Sequence, residues 1–521
     1  GVKGGALLFD GYSTWIEVEP NDFPQIFGSF SVEVWIAPKV FGYGDGGKLS
    51  AIISQSNEHE KQGFVLGTFR HGSWGFTLGT GKEWITLIVY DPPLKKFAWN
   101  YIVATVDVEN HALKLYLNGK KVKFSKIPHG SKMIQANKKA LIGRNSDSLT
   151  LAGFPLNMFC GIMDELRIYN RAITEEEVIR QYEFYTKESC IPKLSWYDFI
   201  DENLYAGDLH RPTYHAIPPE HWMNEPHAPF YYKGKYHLFY QHNPQGPYWH
   251  NIHWGHWVSD DMVHWVHLPY ALTPERGGLD PDGCWSGSVT FNKDGIPVIF
   301  YTAGNDRMNP NQRIAMARPN DPEDPYLVSW VKHPEPVLVQ KPGEGLWGEF
   351  RDPFVWKDDS EEKWYMLVGS GHPTEHAGAA LIYTSKDLMN WQYGGVLYSQ
   401  KHRALGRVWE LPVLLPIKDT SGKHRKWILL VSPARGGDVE VWYWLGKFDK
   451  ENLRFVPDHT EPRLLDVGNG VFTGPSGFVD PQSGRTILFT IAQDQRSSYQ
   501  HYDAGWAHNA GLPVELYLID E

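Results

Sequence analysis

The sequence predicts an all-β protein, with a β-sandwich over residues 1–190 followed by a five-bladed β-propeller over residues 191–521. Three observations predict it. The chain exceeds the ~100–200 residues of one domain, so at least two are expected. Its first part is filled with short apolar runs separated by turn residues, the pattern of a sandwich. Its second part repeats one hairpin pattern five times at a near-constant interval, the pattern of propeller blades.

In the first part, strands are expected at Ala6–Asp10, Ser31–Ile36, Gly63–Gly67, Tyr101–Asp107 and Leu113–Leu117, with a turn at Asn118-Gly119-Lys120. One helix is signalled near the end of this part. Thr174 caps it, Glu177 completes a capping box, and Ile173 with Val178 forms the hydrophobic staple. The phrases ALLFDGYSTWIEV, SFSVEVWIAPK, NYIVATVD, LKLYLNGKKV and GIMDELRIYNRAITEEEV run through nearly the whole segment. On these it resembles the laminin-G-like (concanavalin-like) jelly roll. The resemblance implies glycan contact in some members and simple packing in others, and both readings stay open. Asp10 and Asp164 are within the residue types that reach a cation, but hydrogen-bonded structural aspartates are the simpler expectation.

In the second part the hairpins begin at Pro229, Val289, Pro353, Leu411 and Ser476, with separations of 60, 64, 58 and 65 residues. Each is an apolar strand, a polar turn and a second apolar strand. Trp265, Trp330, Trp391 and Phe455 recur in the outer strands and are expected to pack between blades.

The phrases just before the hairpins are WMNEP (222–226), CWSGS (284–288), FRDP (350–353), WELP (409–412) and FTGP (472–475). The innermost strand of each blade lines the central channel, so equivalent ends meet at one mouth. Asn224, Glu225, Ser286, Arg351, Asp352, Glu410 and Thr473 are therefore expected around one funnel. Three carboxylates there repel one another and are costly to bury, which blade packing does not explain. Paired carboxylates suit glycosidic cleavage, one protonated to donate to the leaving oxygen and one ionised to attack carbon or activate water. Arg351 is expected to keep its neighbour Asp352 ionised.

These motifs also carry a resemblance. WMNEPHA, Gln241 with Trp249, Trp254-Gly255-His256, Trp285-Ser286-Gly287-Ser288, FRDP and WELP resemble the ordered motifs of glycoside hydrolase family 32, the invertase, inulinase and levanase group, from about Pro212 to the end. The resemblance implies retaining chemistry on β-fructofuranosyl linkages of fructans, fructo-oligosaccharides or sucrose-like sugars, without metal or cofactor. Glu225 stands at the nucleophile position, Glu410 at the general acid/base position and Asp352 at the transition-state stabiliser. Asn224, Gln241, Trp249, Trp254, Trp285, Ser286 and Arg351 match substrate-contacting positions, and Trp506 matches a fifth-blade Trp.

The sequence also departs from the family pattern. Glu225 stands where the family has Asp, and one methylene moves the carboxylate by about an ångström. His227 and Ala228 replace Asn-Gly, and Leu411 replaces Cys, which is expected to desolvate Glu410. The family's usual C-terminal β-sandwich does not follow Glu521 in this sequence and is expected to be either removed or absent; the fifth blade looks short, so a strand from the linker after Pro192 is expected to complete it. Transfer to sugar acceptors, a fructan-binding protein without catalysis, and an inverting pentosan-cleaving propeller are the alternatives.

Composition bounds the rest. Net charge is −11 with no basic block, which argues against nucleic acid. No apolar run approaches the roughly 18 residues of a membrane span. The 22 Trp suit either sugar stacking or β-core filling. Cys160, Cys190 and Cys284 form neither a disulfide framework nor a metal-ligand spacing, and one bridge is left open. His253 and His256 lack the partners of a metal motif and are expected to be core histidines. A start at Gly1 without Met is expected from removal of a leader or a tag, and a secreted or periplasmic protein is the expectation if it was a leader.

Overall fold

The computed structural model describes residues 1–519 apart from 188–190, 202, 359, 423–424, 437–439 and 467–470. Two compact units result, one of residues 1–206 with 498–503, the other of residues 207–497 with 504–521. The segment after residue 190 stays with the first unit, where the Phe199 ring lies 5.3 Å from Phe97.

The first unit is a sandwich of two six-stranded sheets. One sheet runs Leu7–Asp10, Cys160–Tyr169, Phe30–Pro38, Asn100–Asp107, Ala112–Leu117 and Lys120–Lys126. The other runs Ile16–Val18, Ala140–Ile142, Ser50–Asn57, Gln62–Thr68, Trp74–Thr80 and Trp84–Val89. Alternate residues such as Phe30, Phe64, Trp74 and Phe76 point between them into a fully buried core. The expected turn is a two-residue hairpin in which Asn118 (φ 50°) and Gly119 (φ 77°) take the left-handed conformation such turns require. Helix Glu175–Lys187 starts at the expected capping box, with Glu177 N donating to Thr174 Oγ1 at 3.2 Å and Thr174 N to Glu177 Oε2 at 2.8 Å. Ile173 and Val178 are buried with Trp35, Tyr101 and Tyr116, so the helix covers the outer face of the first sheet. Asp10 accepts from the backbone N–H of Tyr12, Ser13 and Thr14 at 2.9–3.0 Å, and Asp164 from Glu165 and Lys3 at 2.8 and 3.0 Å. Both are hydrogen-bonded structural residues.

Among the described residues the second unit carries five sheets, antiparallel but for one short parallel pairing in the first. Their innermost strands are His221–Tyr232, Gly283–Phe291, Arg351–Asp358, Val408–Lys418 and Phe472–Val479. The outer aromatics seal the joints. Trp265 of blade one meets Phe489 of blade five at 6.1 Å, and Trp330 of blade two meets Phe239 of blade one at 5.8 Å. Trp391 of blade three meets Phe300 of blade two at 5.8 Å, and Phe455 of blade four meets Tyr398 of blade three at 5.8 Å. Blade one on blade five closes the ring.

The linker does not complete blade five. Among the described residues between Lys187 and His221 there is no strand, only a 3-10 turn at Trp196–Phe199. The outer pairing of blade five comes instead from Asn509–Ala510 and Val514–Leu516, which both pair with Thr486–Ala492. Trp506–Ala507 leaves that blade and pairs in parallel with the innermost strand of blade one. The linker meets blade five without adding a strand: Ala510 N donates to Ala216 O at 2.8 Å, and His215 Nδ1 lies 2.8 Å from Ala510 O. Cys160 and Cys284 are buried, with Cys160 Sγ donating to Asp10 O at 3.4 Å and Cys284 Sγ to Asp280 Oδ2 at 3.1 Å, and Cys190 lies outside the described residues.

Candidate active site

Every innermost strand carries a register shift at the same level: Met223/Pro226, Trp285/Gly287, Arg351/Phe354, Glu410/Val413 and Thr473/Ser476. A bulge frees one residue from the ladder and re-aims its side chain. The residues that the motifs single out lie in or beside these shifts: Asn224, Glu225, Ser286 and Asp352 are freed, while Arg351, Glu410 and Thr473 are the last paired residues before them. Asp352 (φ 58°), Leu411 (φ 51°) and Gly474 (φ 63°) take left-handed backbone at these bulges, a conformation Asp tolerates and Gly adopts without strain. Ala228, where the family pattern has Gly, also takes positive φ (52°) and carries the strain of its Cβ.

The bulges open onto a cavity of about 390 Å³. Asn224, Glu225, Gln241, Trp249, Trp285, Ser286, Arg351, Asp352, Glu410 and Thr473 all line it. Trp254 and Trp506 do not. Trp254 is fully buried, packs against the tilted His227 ring at 4.1 Å and donates Nε1 to Trp285 O at 3.0 Å, so it supports the wall from behind. Trp506 is buried with its Nε1 on Asp208 at 2.6 Å and Arg496 over its ring at 3.8 Å, which turns it to the flank of blade one. Gln312, Ser432, Pro433, Gly474, Ile491 and Gln493 line the cavity without having been singled out in the sequence, and Leu411 lines it as well. Gln312 and Gln493 come from other strands and loops of the blades, where no repeated phrase marks them.

Two chains of hydrogen bonds order the acids. Ser286 Oγ donates to Glu225 Oε1 and accepts from Gln241 Nε2 at 2.5 Å. Asp352 accepts at Oδ2 from Leu411 N at 3.0 Å, while its own N–H donates to Thr302 Oγ1 at 2.8 Å. Arg351 donates Nε to Glu410 Oε1 at 3.0 Å and Nη1 to Gln312 Oε1 at 3.3 Å, with Glu349 as a further partner of Nη1.

Burial separates the acids. Glu225 is 3% exposed, and desolvation, reinforced by Asp352 and Glu410, pushes its carboxyl up to about 8 against the lowering effect of the Ser286 hydroxyl. Asp352 is also pushed up, by burial first and Glu410 second. Arg351 and the Leu411 N–H oppose this but do not overcome it, so Arg351 does not hold Asp352 in the ordinary carboxylate range. The Glu410 side chain is 38% exposed, so Leu411 does not enclose it, and the functional group Leu411 brings to the site is its N–H on Asp352. His227 is buried and held near 3, a neutral packing residue behind the site. His253 Nδ1 lies 2.6 Å from Asn251 O, and His256 Nε2 lies 3.0 Å from His237 Nδ1, as expected of core histidines.

Residues 215–521 match the glycosyl hydrolases family 32 N-terminal domain, and residues 10–179 match the concanavalin A-like lectin/glucanases superfamily. The 6(G)-fructosyltransferase of Asparagus officinalis is 36% identical over 326 residues, covering 58% of this chain and 52% of that protein. An acid β-fructofuranosidase of Phaseolus vulgaris is 36% identical over 325 residues, covering 59% and 48%. The crystal structure of fructan 1-exohydrolase IIa from Cichorium intybus superposes with a TM-score of 0.54 at 30% identity, covering 60% of this chain and 58% of that one. The chain spans about half the length of the curated relatives it matches. With the carboxylates at the bulges of blades one, three and four and the match over residues 215–521, the chain belongs to glycosyl hydrolase family 32.

Proposed function

We propose that the chain is a retaining glycosidase that cleaves β-fructofuranosyl linkages of fructans or sucrose-like sugars. The observation that carries this reading is the meeting of Glu225, Asp352 and Glu410 in one cavity at equivalent bulges of three blades. Glu225, ionised, attacks the anomeric carbon; the Ser286 hydroxyl orients it. Glu410 protonates the leaving oxygen and then draws the proton from water; its greater exposure suits contact with both leaving group and water. Asp352, fixed by the Leu411 N–H, is placed to hold sugar hydroxyls and offset oxocarbenium charge. Among the described residues the buried Gln241 Oε1 has no hydrogen-bond partner, and since Gln241 lines the cavity, a small turn of its amide offers that acceptor to a sugar hydroxyl.

Transfer to a sugar acceptor is the second reading. Trp249 lines the cavity yet is 55% exposed, a flat apolar face at the mouth on which an acceptor sugar can stack in place of water. The same proposal extends to glycan contact by the first unit, supported by its likeness to the lectin superfamily. Product analysis on sucrose, inulin and levan tests the reading. Wild type should release fructose, with or without longer oligosaccharides, and Glu225→Gln and Glu410→Gln should each lose at least about a hundredfold. Full activity in either variant removes that residue from its role.

A further inference from the structure

Glu349 lies outside the cavity lining and outside the motifs, yet it is only 6% exposed and still carries an unshared carboxylate environment of two cations. Its Oε2 accepts from Arg351 Nη1 and its Oε1 from Arg435 Nε. Arg351 in turn presents Nε to Glu410 at 3.0 Å. The backbone around Glu349 is clamped. Glu349 O accepts from the buried Ser370 hydroxyl at 2.6 Å, and Glu349 N donates to Leu346 O at 3.0 Å. The buried Gln340 donates to Glu344 O and Leu346 O at 2.8 and 2.9 Å and accepts from Gly348 N at 2.9 Å. So much hydrogen bonding on one short turn fixes where the Glu349 carboxylate stands.

We propose that Glu349 is a positioning residue for the proton-donating step: it anchors Arg351 by Nη1, so that the guanidinium meets Glu410 through Nε on its side edge rather than through its Nη1/Nη2 end, and holds Glu410 in the attitude that reaches the leaving oxygen. The argument is geometric. A guanidinium has five N–H donors in a rigid fork, and an unanchored one pairs with a carboxylate through two of them. Without Glu349, Arg351 is free to turn its fork face-on to Glu410, tying up both carboxylate oxygens and drawing the group from the leaving oxygen. Gln312 accepts from Nη1 as well, at a longer 3.3 Å, and as a neutral amide it is the weaker anchor. Arg435 is 65% exposed, so its pair with Glu349 is screened and secondary.

The inference rests on the glycosidase reading, and the test separates the two. Kinetics on sucrose, whose leaving oxygen needs a proton, are compared with kinetics on p-nitrophenyl β-fructofuranoside, whose leaving group does not. Glu349→Gln should lower kcat on sucrose by roughly ten- to a hundredfold, below the full 10²–10⁴ of general acid catalysis, with KM changed less than about threefold. On the nitrophenyl substrate the loss should stay under about threefold. Glu349→Asp, which keeps the charge one methylene short, should show a smaller loss with the same substrate dependence. If Glu349→Gln fails to fold, the Asp variant still decides. Equal losses on both substrates, or none on either, in an active wild type overturn the role of Glu349 alone. A wild type inactive on both substrates overturns the glycosidase reading and this inference with it.

Discussion

Replacing Glu225 by Gln should stabilise the protein, and the gain should grow with pH. The carboxyl is 3% exposed, and burial raises it from an ordinary 4.5 to about 8. A carboxyl raised in the folded state binds more protons folded than unfolded between those two values. Its contribution is therefore fully present below the unfolded value and is lost as pH rises toward the folded one. Each unit in that window costs up to about 1.4 kcal/mol, so pH 5 to pH 8 sums to about 4 kcal/mol at most. Water in the open cavity screens part of this and leaves roughly 2 kcal/mol. Glutamine fills the same space, keeps an acceptor for the Ser286 hydroxyl and does not titrate. At about 1.5 °C per kcal/mol for a unit of this size, the difference in Tm between variant and wild type should widen by roughly 3 °C over that range. Thermal unfolding of both proteins at pH 5, 6, 7 and 8 measures it. A difference that stays constant, or narrows, refutes the claim that the buried Glu225 is held protonated. The same shift carries a kinetic sign: the ionised carboxylate attacks, so wild-type kcat/KM should rise with pH through this window.

Four further substitutions probe the site and its wall. Ser286→Ala removes the donor to the Glu225 carboxylate; kcat/KM should fall by roughly ten- to a hundredfold, as expected for a hydrogen bond to a charged group worth about 1.5–3 kcal/mol, and the acid limb of the pH profile should move to higher pH. Gly474→Ala sets a Cβ 2.5 Å from that of Glu225 on a backbone at φ 63°; kcat should fall by at least about a hundredfold because a shift near 1 Å at the nucleophile suffices for that, and circular dichroism should show a folded protein of lower Tm. Trp249→Ala should raise KM with little change in Tm, whereas Trp254→Ala, fully buried, should cost about 3–5 kcal/mol of stability; the reverse pattern contradicts the placement of these two indoles.

Much of this was legible in the sequence because the fold repeats. Five hairpins at a near-constant interval made the blades countable, and the short phrases before them marked the bulges where Glu225, Asp352 and Glu410 sit. The aromatic at the end of each outer strand was readable for the same reason. Trp254 was misplaced because it lies in a motif with the right residue type, and only the pleat of its strand decides whether it faces the cavity or the core. Trp506 was misplaced because the chain leaves blade five for blade one just there, a pairing no local pattern encodes. The completion of blade five was missed for the same reason, since strands of two or three residues carry too little periodicity to be read. The state of Asp352 was misjudged because charge adjacency in sequence says nothing of depth, and desolvation outweighs the neighbouring guanidinium. Gln312 and Glu349 were silent because their roles arise only when separate strands meet.

The central claim is that Glu225 and Glu410 act as nucleophile and acid/base across one sugar, so that cleavage runs through a fructosyl-enzyme. Methanolysis tests it most directly, because a methyl fructofuranoside does not mutarotate and preserves the configuration of the first product. With inulin or sucrose in dilute methanol, nuclear magnetic resonance should show the methyl β-fructofuranoside, the configuration of the substrate, formed by wild type and abolished in Glu225→Gln. The α-configured product would mean direct displacement, and a β product that persists undiminished in Glu225→Gln would mean that another group is the nucleophile; either contradicts the account.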